Sequence, residues 1–224
     1  MHSKLIRIYN ELLREFGKQY WWPAETPFEV VVGAILTQQT NWKNVEKAIA
    51  ELKERKLMSA RALANARLGE VEEYARCTGF YKQKTKRLVG VCKYLTRNYD
   101  GDLNEFFGRD SGVVRGELLS LHGIGPETAD SILLYAGEKP VFVIDAYTRR
   151  FCTEKKLADG RANYETLRSF FEKNLPRDVN LYREFHALIV EWGKKHSKRK
   201  QKFRVSRSRA RQSPVGKRPR FSRR

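Results

Sequence analysis

Two features of the chain could do chemistry together. Gly123-Ile124-Gly125 makes a Gly-x-Gly turn between two helical patterns, and Asp145 stands just before a third. A tight turn that opens a helix exposes main-chain N–H groups at the positive end of the helix dipole, where an anion binds without a basic side chain. Glycines permit positive φ and let a phosphate approach the main chain closely. Contacts of this kind position a protein on nucleic acid and carry no sequence information. Pro126 suits the first position of the following helix, and Glu127 complements its dipole. On these residues alone, the turn could also be an ordinary corner between helices and Asp145 a simple N-cap.

The elements that must hold these groups read as helices. Leu5, Ile8, Tyr9, Leu12, Leu13 and Phe16 recur at helical spacing, and Gly17 is a natural stop. Pro23 forces an extended backbone at Trp22. Phe28 to Gln39 is apolar on nearly every side, as in a buried central helix. Further helices follow over Val45–Leu52, Ala60–Ala66, Val71–Ala75, Leu88–Leu95, Val114–Leu121, Ala146–Cys152, Tyr164–Asn174 and Leu181–Trp192, with a turn at Gly79-Phe80-Tyr81. Val141 to Ile144 is the only strand-like stretch and has no obvious partner. The fold class expected is all-α.

The charge is lopsided. Of 45 Lys and Arg, 15 lie in Lys194–Arg224, which has no Asp or Glu; the first 193 residues hold 30 basic and 26 acidic groups, a net of only +4. Such a tail cannot bury apolar surface, so disorder is expected over 194–224 until a polyanion is met. Nucleic acid is the first candidate, with a merely solvated tail as the alternative. Cys77, Cys92 and Cys152 are far apart, which disfavours a disulfide framework or a cysteine metal site. His186 and His196 are isolated and read as core and surface residues, so no metal site is expected. The charged N-terminus does not resemble a signal peptide, and the longest apolar run, Val30 to Leu36, is too short for a bilayer. An intracellular, soluble protein without a membrane partner is expected.

The stretch LHGIGPETADSILLYAGEKPVFVIDAYTRRF, from Leu121 to Phe151, resembles the helix-hairpin-helix and Gly/Pro…Asp signature of the endonuclease III superfamily of DNA glycosylases. Three more stretches resemble the family in order. FEVVVGAILTQQTN (Phe28–Asn41) is similar to its buried helix with a Gln-containing loop, Gly79-Phe80-Tyr81 with Lys84 to its second DNA-intruding loop, and Tyr182–Gly193 to its closing helix. Trp21-Trp22-Pro23, Leu36-Thr37-Gln38-Gln39-Thr40 and Gly123–Asp130 most resemble the 3-methyladenine DNA glycosylase III branch.

The resemblance implies two helical subdomains with an active-site cleft between them. Residues 1–25 with 138–193 would form one; 26–137, with the hairpin at 115–137, would form the other. It also implies an enzyme that flips a damaged nucleotide from double-stranded DNA and breaks its N-glycosidic bond. Asp145 would stabilise the positive sugar and orient water. Bifunctional members attack with a lysine whose position here is Glu127; a carboxylate cannot form an imine, so a monofunctional, water-using glycosylase is expected. An alkylated purine is cationic, and a ring stacked on it contributes roughly 0.5–2 kcal/mol. Trp21, Trp22 and Trp42 are the candidates, with Pro23 shaping the wall; ordinary core packing is the alternative. Gln39 and Phe80 are candidates to wedge into the duplex, with simple loop packing as the alternative, and Gly123, Gly125 and Thr128 are expected to bind its backbone.

Many relatives carry four cysteines around an iron–sulfur cluster after the last helix. Here the first of those positions is Ser197 and no cysteine follows Cys152, so no cluster is expected. A monovalent cation on main-chain carbonyls of the hairpin, as in relatives, is something residue types cannot decide. A monomer is expected. The alternatives are an endonuclease III-like glycosylase and lyase for oxidised pyrimidines, using another lysine, and a DNA-binding module without catalysis.

Overall fold

The computed structural model describes residues 1–211, with side chains through residue 196. Twelve α-helices follow one another: α1 (His2–Phe16), α2 (Pro27–Leu36), α3 (Trp42–Glu54), α4 (Ala60–Asn65), α5 (Leu68–Tyr74), α6 (Tyr81–Tyr99), α7 (Leu103–Gly108), α8 (Ser111–Ser120), α9 (Pro126–Tyr135), α10 (Ala146–Glu154), α11 (Tyr164–Asn174) and α12 (Val179–Arg211). A 3-10 turn at Arg76–Thr78 precedes α6. The all-α class expected from periodicity is the class observed, with no β-strand among the described residues.

Helix α2 is buried at every residue from Phe28 to Leu36 and packs against α3, α6 and α9. Thr26 caps it by accepting the Glu29 N–H, and buried Glu29 is paired with Lys53 at 2.9 Å. The helix ends at Leu36 rather than at Gln39, because the chain turns through Gln39 (φ +55°) to reach Asn41, the N-cap of α3. A second group of helices, α1 and α10, packs on α12. Apolar side chains from both groups join one continuous core.

Helix α7 has no counterpart among the expected elements. Asp102 caps it through the Asn104 N–H at 2.7 Å, and it buries Phe106 and Phe107. At the other end of the chain, α12 runs on to Arg211, where disorder is expected from residue 194. Lys and Arg are good helix formers, and no proline follows Gly193 until Pro214. Residues 212–224 lie outside the described residues.

The strand-like stretch Val141–Ile144 is buried yet pairs with no strand. A buried main-chain N–H needs an acceptor, and side chains supply it. Phe142 N donates to Glu172 Oε1 at 3.0 Å, and Ile144 N donates to the Tyr164 hydroxyl at 3.3 Å. Phe142 is also stacked on Phe171, with centroids 4.1 Å apart. Helix α11 therefore stands in for a partner strand and fixes the segment that ends at Asp145.

The turn between α8 and α9 is closed from inside. Arg115 binds Asp130 through two nitrogens, at 2.6 and 3.2 Å, with Asp130 fully buried. Removing one partner of a buried pair strands the other, so Arg115→Met should lower unfolding stability by about 3–5 kcal/mol in urea titrations. The two glycines of the turn should differ. Gly123 has φ +78° and an added Cβ would collide with Arg87, whereas Gly125 has φ −93° and open space around it. Gly123→Ala should cost about 1–2 kcal/mol of stability, and Gly125→Ala should leave the melting temperature unchanged.

Candidate active site

Asp145 stands where the extended segment meets α10. Its Oδ1 accepts the Thr148 N–H at 2.7 Å, and its Oδ2 lies 3.7 Å from His186 Nε2. The two roles open at the sequence level are thus compatible: one oxygen caps a helix while the residue borders a cavity. That cavity, of about 400 Å³, is lined among others by Trp21, Trp22, Trp42, Glu127, His186 and Lys194.

The rings are held by one another and by α2. Trp22 and Trp42 meet edge to face, centroids 5.4 Å apart at 88°. Trp22 rests on Gly33 of α2, where an added Cβ would stand only 3.2 Å from the indole. Trp21 stacks on His186 at 5.8 Å, and the Lys194 ammonium lies 5.5 Å from the same ring's centroid. A protein cation thus already sits at Trp21, which makes it a wall as much as a stacking surface. Pro23 does not line this cavity. It is exposed and borders an adjoining hollow of about 210 Å³.

The two carboxyl groups of the cavity are driven apart electrostatically. Burial would raise Asp145, but His186 and the N–H and side chain of Thr148 outweigh it, and its pKa falls below the usual carboxylate value. Glu127 has an exposed edge, but the atoms crowded around its carboxyl desolvate it and raise its pKa, with the negative charge of Asp145 adding to this and His186 and Arg149 opposing it. Of the pair, Asp145 is the anion and Glu127 the better proton holder. Such a split lets one carboxylate stabilise a developing cation while the other donates.

The hairpin residues expected to touch DNA fall into two sets. Gly125 is the N-cap of α9 and offers no capping side chain, so the N–H groups of the first turn stay available. Thr128 is buried, and its hydroxyl accepts from Gln38 Nε2 at 3.0 Å. Gln38 in turn accepts from Arg87, the side chain that covers Gly123. The Thr128 side chain therefore braces the turn and leaves only its main chain for an outside anion. Gln39 is exposed in the left-handed region. Phe80 is 66% exposed, also left-handed, on a turn anchored by buried Lys84, whose Nζ donates to the Thr78 carbonyl at 2.6 Å. Desolvation brings the Lys84 pKa down to about 8.

Four neighbours of Asp145 escaped sequence reasoning. His186 is buried, as expected, but it lines the cavity. Tyr135 holds it, and Lys194 and Ser131 complete the wall. No local spacing points to them, since they come from α9 and α12. Only the position of His186 inside the apolar run Phe185–Val190 marks it as needing a partner.

Residues 32–177 match the family described as HhH-GPD superfamily base excision DNA repair protein. The chain is 48% identical, over 88% of its length and 90% of the relative's, to a Methanocaldococcus jannaschii protein provisionally named a DNA repair glycosylase. It is 30% identical to Thermotoga maritima endonuclease III, over 84% of each chain. Among solved structures, the 3-methyladenine DNA glycosylase of H. pylori bound to 1,N6-ethenoadenine superposes with a TM-score of 0.73 at 30% identity, covering 87% of this chain and 96% of that one. A non-covalent endonuclease III–DNA complex shares the fold, with a TM-score of 0.72 at 21% identity over 85% and 84%. An all-helical fold, a Gly-x-Gly hairpin and an aspartate at an aromatic cavity thus coincide with a match over most of the chain: it belongs to the HhH-GPD superfamily of base excision DNA repair proteins, as a DNA glycosylase.

Proposed function

We propose that the chain is a monofunctional glycosylase that hydrolyses the N-glycosidic bond of alkylated purines, of the 3-methyladenine type, in double-stranded DNA. The observation that carries this reading is the pair Asp145 and Glu127 in one tryptophan-walled cavity. The family's lysine position holds a carboxyl, so the first helical turn of α9 has no amine to attack the sugar. The likeness to a 3-methyladenine glycosylase that was solved with ethenoadenine supports the substrate class.

In this reading the hairpin grips the backbone, and Gln39 and Phe80 press into the gap left by the flipped nucleotide. The base enters between Trp22, Trp42 and Trp21, and Glu127 faces it as the proton-holding group. As the bond to C1′ lengthens, ionised Asp145 stabilises the charge on the sugar and orients the water that replaces the base. In this reading no iron–sulfur cluster takes part, because no cysteine follows Cys152 to supply the thiolates. The protein acts as a monomer.

One observation favours a second reading. Lys194 reaches the cavity wall, paired with Glu191 at 2.6 Å, and is an amine close enough to be considered for lyase chemistry. Borohydride trapping on an abasic or damaged duplex separates the two. No adduct is expected; an adduct lost in Lys194→Met would establish the lyase instead.

Base release from duplexes holding 3-methyladenine, thymine glycol or no lesion, scored before and after alkali, tests the substrate. Alkali-dependent breaks at the alkylated site alone are expected. Asp145→Asn should slow release by about 10²–10³-fold with DNA affinity retained. Trp42→Ala should lose about 1–3 kcal/mol of stacking on the base while still binding abasic DNA. Gly125→Ala should weaken binding to all duplexes alike, as a backbone contact does.

A further inference from the structure

We propose that His186, anchored by Tyr135, is a positioning residue for Asp145, so that the reaction centre is a Tyr135–His186–Asp145 chain. The proposal rests on the role given to Asp145 above. Tyr135 Oη lies 2.7 Å from His186 Nδ1 and 3.3 Å from the Arg183 carbonyl oxygen. Trp21 lies against the imidazole, and His186 is 5% exposed. Its Nε2 is buried with no hydrogen-bond partner and lies 3.7 Å from Asp145 Oδ2, beyond a hydrogen bond but within ion-pair reach.

This arrangement partners Nδ1 in either protonation state. In the neutral form, the Tyr135 hydroxyl donates to Nδ1, which leaves the proton on Nε2, 3.7 Å from the carboxylate. In the cation, Nδ1–H donates to Tyr135 Oη, whose proton turns to the Arg183 carbonyl. The imidazole therefore need not swing to change charge, and Trp21 restrains it from doing so. An imidazole N–H dipole or cation fixed 3.7 Å from Oδ2 favours the ionised carboxylate before the sugar becomes positive, and such preorganisation requires no rearrangement during the reaction. A histidine kept only for packing would be satisfied by Tyr135 and would have no reason to direct its second nitrogen at a carboxylate. The other charged or titratable groups of the cavity are Glu127 from α9, Tyr147 from α10 and Lys194 on α12 itself; Arg149 acts on Glu127, and Arg183 and Glu184 on Tyr135. From the N-terminal segment only the uncharged Trp21 packs on the ring.

The test is single-turnover base release across pH, on the alkylated duplex that the native protein processes, with affinity for an abasic duplex measured alongside. His186→Phe keeps a ring against Trp21 and removes both nitrogens. It should slow release by about ten-fold or more, the factor equivalent to one pKa unit of electrostatic preference, with abasic affinity preserved. Its acid limb should move to higher pH, because burial then raises the Asp145 carboxyl with less to oppose it. His186→Gln, whose amide can place a donor near the Nε2 position, should recover most of the rate. Tyr135→Phe should fall between them, and it carries the test with the glutamine variant if the phenylalanine variant does not fold. Equal rates for Phe and Gln, with an unmoved acid limb, would overturn the proposal. An active Asp145→Asn would overturn the role of Asp145 itself, whereas an inactive Asp145→Asn beside a fully active His186→Phe would overturn only the chain.

Discussion

Burying a carboxylate among indole rings is costly unless donors replace the water it loses. At Asp145 the donors come from two directions: a main-chain N–H of α10 on one oxygen and the imidazole of α12 near the other. Each direction needs its own scaffold. The N-cap geometry depends on where the extended segment delivers residue 145, and that segment is held by Glu172 and Tyr164 in place of a sheet. The imidazole depends on α9, which lends Tyr135, and on the ring of Trp21 from the N-terminal segment. Five separate parts of the chain therefore meet to keep one group ionised.

The same cavity gives Glu127 the opposite treatment. Desolvation and the charge of Asp145 raise its carboxyl, with His186 and Arg149 only partly offsetting them. Two carboxyl groups in one cavity are thus shifted in opposite directions, and the difference comes from their surroundings rather than from residue type. Glu127 does more than line the cavity. It adds a second ionisable group whose state is tied to the first.

What was legible in the sequence followed from local rules. The amphipathic spacing of α1, the apolar α2, Pro126 after a glycine turn and Asp145 before a helical pattern all act over a few residues, and the structure has each of them. Helix α7 was missed although Asp102 is a sound N-cap, because the adjacent Phe106 and Phe107 do not display an obvious helical stripe. The α2 boundary was placed late because Thr37 to Gln39 are compatible with helix until the turn into α3 is taken into account. His186, Tyr135 and Lys194 could not be grouped with Asp145, since only the packing of α9, α10 and α12 brings them together. Thr128 was assigned to DNA on its place in the motif, and its side chain proves to face inward toward Gln38.

Gly33 lies on the far side of this cavity's wall, within α2, and is not among the residues that line it. Its lack of a side chain is what allows Trp22 to settle where it does. A single carbon added at that depth would push on the indole and change the room in the cavity, with every lining residue left as it was. Two relatives with identical pocket walls could then differ in the bases they admit. The size of the site is in this sense set one layer below its surface, and comparing only the walls would assign the difference to the wrong residues.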